Sequence, residues 1–273
     1  MPLVLTESIR TYSARWYGAI GRRRSRRRYD PARAIPDELM SGLHSVCSGF
    51  QPFAGARAEI LPVPAASVFW GIAGSYGKIK GATVVIAFIG ETGGPDYQAE
   101  VGYTGEGVIL EATALGLDTC WVGGFFRPGL VRQMLRLGKN ERVLAVTPVG
   151  FAGERLSAEE TVMAGFGLNY RRKLLDSMAT GQNSREWAEW VRISLEAARL
   201  APSAMNRQPW GFHVEPDGIT ISVRTGEPQL TVSKRLDCGI AMLHLEVAAL
   251  NRGAEGSWEW LKPPGVARFT VGA

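Results

Sequence analysis

Apolar positions along the first part of the chain follow two different periods. They recur at helical spacing over residues 36–50, after a Pro-Asp start, whereas the β-branched run at residues 82–89 is typical of a buried strand. A helix is predicted over residues 106–115, with Gly116 as its C-terminal stop. A second strand is predicted over residues 142–152. Helices and strands are therefore expected in mixed order.

The same order restarts after the polar stretch at residues 181–186. A helix is predicted over 185–200, then a loop over 201–210, strands near 211–214 and 219–223, and a helix that begins at Cys238. Residues 106–122 match residues 238–258, with a helix, a glycine and a tryptophan in the same order, and residues 142–152 match the C-terminal strand. A repeat this long is too long for a solenoid and indicates a fused dimer.

This pattern favours an α+β fold over a doubly wound parallel sheet, because short strands and helices do not alternate regularly. No G-x-G-x-x-G follows a strand, since Gly102, Gly105 and Gly107 have the wrong spacing and lie before or at the start of the predicted helix. A tightly held dinucleotide of the Rossmann type is therefore not predicted. We expect two related halves, at residues 1–180 and 181–273.

Composition places the chain among ordinary globular proteins, with 45% hydrophobic and 21% charged residues in 273. Its three cysteines lack the spacing of a disulfide framework or a zinc site, and we expect a cytoplasmic protein. The N-terminus does not resemble a signal peptide, and the apolar stretches are too short to cross a bilayer. We therefore expect no membrane partner and no metal.

The net charge of +5 is concentrated in the run at residues 21–30, GRRRSRRRYD. Ser25 lies there among guanidinium groups, and forked arginine donors with a hydroxyl suit a phosphate group. A solvated basic stretch or an RNA-binding arm is the alternative. Because Tyr29 is the only aromatic residue in the run, base stacking is poorly supported and nucleic acid is not the expected partner.

The loop at residues 201–214, APSAMNRQPWGFHV, combines small residues with two carboxamides. Ser203, Asn206 and Gln208 can both donate and accept hydrogen bonds, which suits the polar edges of a flat heterocycle such as isoalloxazine. An ordinary proline-rich turn before a strand is the alternative, although Pro202 and Pro209 bracket the amides in an uncommon arrangement.

Together these motifs resemble the nitroreductase family of FMN proteins, from about Arg22 onward. The run at residues 23–27 matches the family's R-x-S-x-R phosphate motif, and residues 202–210 match its P-S-x-x-N-x-Q-P-W flavin loop. The resemblance implies a nitroreductase-like fold in which each half has a mainly antiparallel sheet flanked by helices. It also implies these flavin-binding residues: Arg23, Arg24, Ser25 and Arg27 for the phosphate; Lys78, with Lys80 as its competitor, for the pyrimidine edge; Gly123 and Gly124 for N5; Arg172 and Lys173 for the phosphate; and Pro202, Ser203, Asn206 and Gln208 for the ring.

The chain departs from the family in an informative way. Family members are normally homodimers whose FMN takes the R-x-S-x-R motif from one subunit and the flavin loop from the other. Here the first half keeps the basic motif but has a degenerate loop at residues 47–55, and the second half keeps the loop but reads NSREWAEWVR in place of the basic motif. This implies a monomer that acts as a pseudo-dimer with one complete site.

The resemblance implies an FMN-dependent oxidoreductase that passes electrons from NAD(P)H to nitroaromatics, quinones or similar acceptors in a ping-pong mechanism. Flavin supplies the hydride chemistry, so no catalytic side chain is expected. Cations, with Lys78 and Arg27 as candidates, would stabilise negative charge on the reduced flavin. The alternatives are a flavoprotein of other activity, such as dehalogenation or flavin fragmentation, and a non-catalytic flavin sensor or store.

Overall fold

The computed structural model describes residues 3–62, 65–69, 79–153, 171–226 and 231–272. Nine strands form two sheets within these residues. The first sheet has the order β1-β2-β4-β3 and is antiparallel throughout. Its strands are β1 (Ala56–Ile60), β2 (Val84–Glu91), β3 (Asp118–Thr119) and β4 (Glu141–Gly150).

The second sheet repeats this order as β6-β7-β9-β8, again antiparallel, and adds β5 in parallel beside β6. Its strands are β5 (Ala179–Gly181), β6 (Trp210–Glu215), β7 (Gly218–Val223), β8 (Gly256–Trp260) and β9 (Gly265–Val271). The same strand order in each half confirms the α+β class and the two related halves. The boundary at residue 180 stays a prediction, and β5 straddles it.

Eight α-helices in the described residues surround and separate the sheets. They are α1 (Thr6–Arg10), α2 (Ser13–Ile20), α3 (Asp37–Gly49), α4 (Ala65–Val68), α5 (Tyr97–Ala114), α6 (Pro128–Met134), α7 (Glu189–Arg199) and α8 (Lys234–Leu250). Helix α3 precedes the first sheet as α7 precedes β6, and α5 lies between β2 and β3 as α8 lies between β7 and β8. Three short 3₁₀ turns, Leu175–Ser177, Ser184–Glu186 and Ala204–Asn206, complete the described elements.

The two halves share one hydrophobic core, because α5 and α8 pack against each other at its centre. A Cβ at Gly102 would overlap the carbonyl oxygen of Leu236, and a Cβ at Gly239 would overlap that of Ala99. In each helix, the glycine lies three residues after the residue whose carbonyl faces the opposite glycine: Gly102 follows Ala99, and Gly239 follows Leu236. This reciprocal contact is what a pseudo-twofold axis between the helices would produce.

The prediction that α5 starts near residue 106 was wrong, because the helix begins at Tyr97 and contains Gly102, Gly105 and Gly107. Glycine weakens a helix interior, so the sequence pattern placed the helix start after Gly102 and Gly105. In the fold each one makes room for a neighbour: Gly105 for Trp121 and Phe88, and Gly107 for Phe50 and Trp16. Tertiary packing therefore overrides the local propensity.

The other predicted elements are confirmed with small shifts at their ends. The predicted strands correspond to β2, β4, β6 and β7, and the predicted helices to α3, α7 and α8. No helix among the described residues is long and apolar enough to cross a membrane, and those residues hold no group of three or more possible metal-ligating side chains. All three cysteines are buried and unpaired.

Candidate functional site

The arginine run is extended and lies along the edge of the first sheet. Ser25 forms a parallel bridge with Thr119 of β3, and the Arg26 amide donates to the Thr119 carbonyl at 2.9 Å. On the other side, the Lys80 amide donates to the Arg27 carbonyl at 2.9 Å. The backbone is therefore fixed on both sides, and the side chains of the motif are held in defined directions.

Arg23 is the buried arginine of this run, with only 7% of its surface exposed. Its Nη1 atom lies 3.4 Å from the Ser25 hydroxyl, and its Nε atom lies 3.9 Å from Oε1 of Glu106. Arg24, its neighbour, is exposed. A buried guanidinium is costly to place, so its position beside Ser25 indicates a specific role.

Arg172 contacts the loop of the second half and lies near the arginine run. Its guanidinium donates to the side-chain oxygen of Asn206 and, at 3.0 Å, to the carbonyl of Leu200. Burial and the positive charges of Arg23, Arg199 and Arg24 lower the pKa of Arg172 to about 10. Arg23, Arg24 and Arg199 thus lie near enough to Arg172 to act on its charge, and positive charge gathered in this way favours the binding of an anion.

The loop between α7 and β6 holds three non-glycine residues in the left-handed region of backbone conformation. Their φ angles are 51° for Met205, 55° for Asn206 and 48° for Gln208. Such conformations cost energy and persist only where the surroundings enforce them, often at ligand sites.

A buried ion pair enforces the conformation of this loop. The Nε atom of Arg207 lies 2.7 Å from Oδ2 of Asp237, and its Nη2 atom donates to the Val232 carbonyl at 2.8 Å. The other oxygen of Asp237 accepts from the Ala204 amide at 3.1 Å. Burial raises the pKa of Asp237 to about 6, against the opposing effect of Arg207. Our sequence reasoning missed both residues, because neither belongs to the matched motif positions.

Several predicted ligands make bonds within the protein. The Gln208 side chain accepts from the Lys173 amide at 2.8 Å and donates to the Arg171 carbonyl at 3.0 Å. The Lys173 ammonium donates to the Arg207 carbonyl at 2.8 Å, and Ser203 accepts from the Gln208 amide at 2.9 Å. These contacts make Gln208 and Lys173 supports of the loop conformation. Pro202 is buried beside them.

Gly123 and Gly124 bring the first half against the segment that supports the loop. A Cβ at Gly123 would lie 2.6 Å from the Val232 side chain, and one at Gly124 would lie 3.2 Å from the Thr231 hydroxyl. Since the Val232 carbonyl accepts from Arg207, the glycines of one half and the loop of the other meet through this segment. Lys78 lies outside the described residues, so its predicted place cannot be compared.

The equivalent place on the other side of the pseudo-twofold axis is filled by aromatic side chains. Trp260 follows Trp258 by two residues, as Gly123 follows Trp121, so a large ring stands where the first half has a glycine. The ring of Phe53, from the short loop between α3 and β1, packs 5.7 Å from that of Trp260.

The backbone on that side is also different. Leu3 forms an antiparallel bridge with Trp258 at the edge of β8, whereas Ser25 forms a parallel bridge with Thr119 at the edge of β3. Phe50 is buried beside Tyr103 in the same aromatic cluster as Phe53 and Trp260. Polar residues therefore lie on one side of the axis, and aromatic rings lie at the equivalent place on the other.

Comparisons with known proteins agree with this fold. A family model described as "Putative TM nitroreductase" matches residues 15–249. The chain is similar to a solved structure described as a putative nitroreductase from Thermotoga maritima, with 19% identity, a TM-score of 0.65, and coverage of 94% of this chain and 93% of that chain. This likeness confirms the nitroreductase-like fold over the whole pseudo-dimer.

Two further solved structures match parts of the chain. A nitroreductase family protein from Clostridium difficile 630 has 16% identity and a TM-score of 0.43, and the match covers 62% of this chain and 98% of that chain. A nitroreductase with bound FMN from Bacteroides fragilis has 18% identity and a TM-score of 0.41, with coverage of 52% and 90%. None of the curated proteins that were compared matches the chain.

Proposed function

Because the chain belongs to the nitroreductase family, we propose that it is an oxidoreductase that binds one FMN per chain and passes electrons through it. The observation that carries this proposal is the contact of Arg172 with Asn206 beside Arg23. It places the loop of the second half near the basic motif of the first half, as a flavin that takes ligands from both would require.

The described residues fit the FMN phosphate. Arg23, Arg24 and Arg172 offer forked donors with Ser25 beside them, and the mutual repulsion of these cations would be relieved by a dianion. Arg27 and Lys173 belong to the same set of predicted ligands, but Lys173 would act by holding the loop. The phosphate would thus bind where the protein already concentrates positive charge.

The other predicted ligands are suited to bind the flavin ring. Gly123 and Gly124 would present backbone N–H groups to the flavin N5 edge, and the loop at Ser203–Gln208 would contact the ring from the other half. When bound, FMN would accept a hydride from NAD(P)H and pass its electrons to a nitroaromatic, quinone or similar acceptor. The protein's own task would be to orient the ring and to stabilise negative charge with Arg27 and Lys78.

The aromatic side chains at the pseudo-equivalent place support a stoichiometry of one FMN per chain. The rings of Trp260 and Phe53 pack against each other there and would leave no room for a flavin ring. A monomer that acts as a pseudo-dimer would therefore carry a single flavin, and the proposed division at residue 180 separates its two contributors.

The test is a titration of the purified chain with FMN, followed by the absorbance of bound oxidised flavin. We expect saturation at about one FMN per chain. The variant with both Arg23→Ala and Arg172→Ala should bind FMN at least about 100-fold more weakly, since two charge-assisted hydrogen-bonding groups are lost. Arg252→Ala, an exposed arginine in the second half, is the control.

Each outcome has a definite meaning. Two FMN per chain would contradict the closed second site, and full FMN occupancy in the double variant would contradict the phosphate assignment. Reduction of the bound flavin by NAD(P)H, with reoxidation by a quinone or nitroaromatic, would support the oxidoreductase. A bound flavin that no dinucleotide reduces would favour a sensor or store.

A further inference from the structure

The two halves differ most in the connection between their last two strands. In the second half, β8 and β9 are joined by the short turn at residues 261–264. In the first half, β3 and β4 are joined by a longer segment that contains Gly123, Gly124 and α6. The extra helix therefore occurs on the half that contributes the proposed N5 glycines, and the filled half lacks it.

This segment, residues 123–142, is strongly basic. It contains five cations and one acid, a net charge of +4, and so forms a second basic stretch besides residues 21–30. The acid, Glu141, is bound by Arg57 at 2.7 Å and does not offset the others. We call residues 123–142 the basic segment. The cations are all exposed: Arg127, Arg132, Arg136, Lys139 and Arg142.

Stabilising ion pairs do not explain why these cations are grouped in the basic segment. Within the described part of the chain, no ion pair involves Arg127, Arg132, Arg136 or Lys139, although other surface arginines such as Arg10 and Arg268 each bind two carboxylates. Unpaired like charges that lie so close together along the chain repel each other and destabilise the folded chain. Their grouping therefore indicates an anionic ligand.

The basic segment begins at the proposed flavin site. Arg127 follows Gly124 by three residues, so their Cα atoms are at most about 11 Å apart. The Arg127 amide donates to the Val68 carbonyl at 2.9 Å, which anchors the start of α6. Between the glycines and α6, Phe125 exposes 56% of its surface. An exposed ring beside several guanidinium groups suits a ligand with both a base and phosphates.

We infer that the basic segment binds the phosphate groups of NADPH, including its 2′-phosphate, and so makes NADPH the preferred donor over NADH. This inference rests on the proposed function, because it concerns the donor at the same site. The nicotinamide would lie toward Gly123 and Gly124, while Arg132 and Arg136 would bind the end that carries the 2′-phosphate. NADH lacks that phosphate and would gain less from these two residues.

The test compares kcat/KM for NADPH and NADH in the FMN-loaded wild-type chain and in the double variant Arg132→Gln with Arg136→Gln. We expect wild type to prefer NADPH at least about tenfold, as the loss of charge-assisted contacts to one phosphate implies. The double variant should lose most of that preference and little of its NADH rate. Arg252→Gln should behave as wild type.

Equal use of NADPH and NADH by wild type, or an unchanged preference in the double variant, would overturn the inference. An unchanged NADPH preference together with slower reduction of an acidic electron-carrier protein by the double variant would overturn the inference and assign the segment to that protein instead. Direct titration of NADPH fluorescence with chain that lacks FMN separates this inference from the proposed function. Tighter binding of NADPH than NADH there would support the segment's role even if FMN were not retained.

Discussion

The Nε2 atom of His244, in α8, lies 2.9 Å from Oε1 of Glu106, in α5, and this buried contact joins the two halves. The Nδ1 atom of His244 lies 3.0 Å from the Ala197 carbonyl, which can only accept, so Nδ1 carries a hydrogen. The other oxygen of Glu106 accepts from the Trp121 indole at 2.7 Å. Glu106 thus connects the second half to Arg23 and to the turn that precedes Gly123.

Replacement of His244 by leucine should destabilise the chain by about 3–5 kcal/mol. The buried carboxyl group of Glu106 would lose its hydrogen-bonding partner on α8. Glu106→Gln should cost much less, since its amide can donate to Nε2 and still accept from Trp121. Urea unfolding of the purified variants measures both values. Equal stability of the His244→Leu variant and wild type would show that the contact contributes nothing to the free energy of unfolding.

The packing of α5 on α8 leads to a second prediction. Alanine at Gly102 or Gly239 would place a Cβ on a backbone carbonyl of the opposite helix, so either change should lower the free energy of unfolding by at least about 2 kcal/mol. Gly18→Ala is the matched control, because Gly18 lies in α2 with nothing within 4 Å of its added Cβ. That variant should gain up to about 1 kcal/mol from helix propensity. Similar effects at all three positions would contradict the close approach.

These two contacts show why the sequence predicted the fold class better than its packing. The apolar periods in residues 36–50, 82–89 and 211–223 depend on local sequence. The helix and strands that they predict therefore occur in the structure. Gly102 looked like a residue outside a helix, because its role depends on Leu236, more than a hundred positions away. Single-sequence patterns report local preference and not which helices will meet.

The candidate site was predictable to a similar degree. The motif residues around Ser25 and Asn206 predict an anion and a heterocycle, and Arg172 contacts Asn206 while lying near Arg23 and Arg24. Arg207 and Asp237 were not predicted, since an ion pair between a loop and a distant helix leaves no spacing signal. The degenerate motif predicts that the second site is lost, and the position of Trp260 could be assigned only through the repeated topology.

The ion pair between Arg207 and Asp237 gives a third prediction. Asp237→Ala would leave a buried guanidinium without its carboxylate and would remove the acceptor of the Ala204 amide. We expect a loss of about 3–5 kcal/mol in stability and weaker FMN binding, because Asn206 and Gln208 would relax from their left-handed conformations. Thermal unfolding and FMN titration measure the two effects.

Glu255→Ala is a suitable control for that experiment, since Glu255 pairs with Arg10 at the exposed surface. It should change stability by less than about 1 kcal/mol. If Asp237→Ala lowered stability but left FMN affinity intact, the loop conformation would not depend on the pair, and our account of how the loop is held would be wrong.

A fourth prediction concerns pH, and it rests on a buried carboxyl between the halves. Glu246 accepts hydrogen bonds from Tyr103 at 2.6 Å and from Trp258 at 2.5 Å, both at Oε2. Burial raises the pKa of Glu246 from 4.5 to about 7, against these bonds. The folded chain therefore keeps this proton between about pH 4.5 and 7, whereas the unfolded chain releases it.

Because the folded state binds more protons in that interval, stability should fall as the pH rises through it, by about 3 kcal/mol from this group. Glu246→Gln cannot ionise, but its oxygen can accept from Tyr103 and Trp258 and its amide can donate to Thr6. Urea unfolding at several pH values should show the variant becoming more stable than wild type above pH 7 and similar to it near pH 4.5. Asp237, whose raised pKa of about 6 adds its own slope, is present in both proteins and cancels in the difference. Parallel stability curves for the two proteins would mean that Glu246 is already ionised in the folded chain.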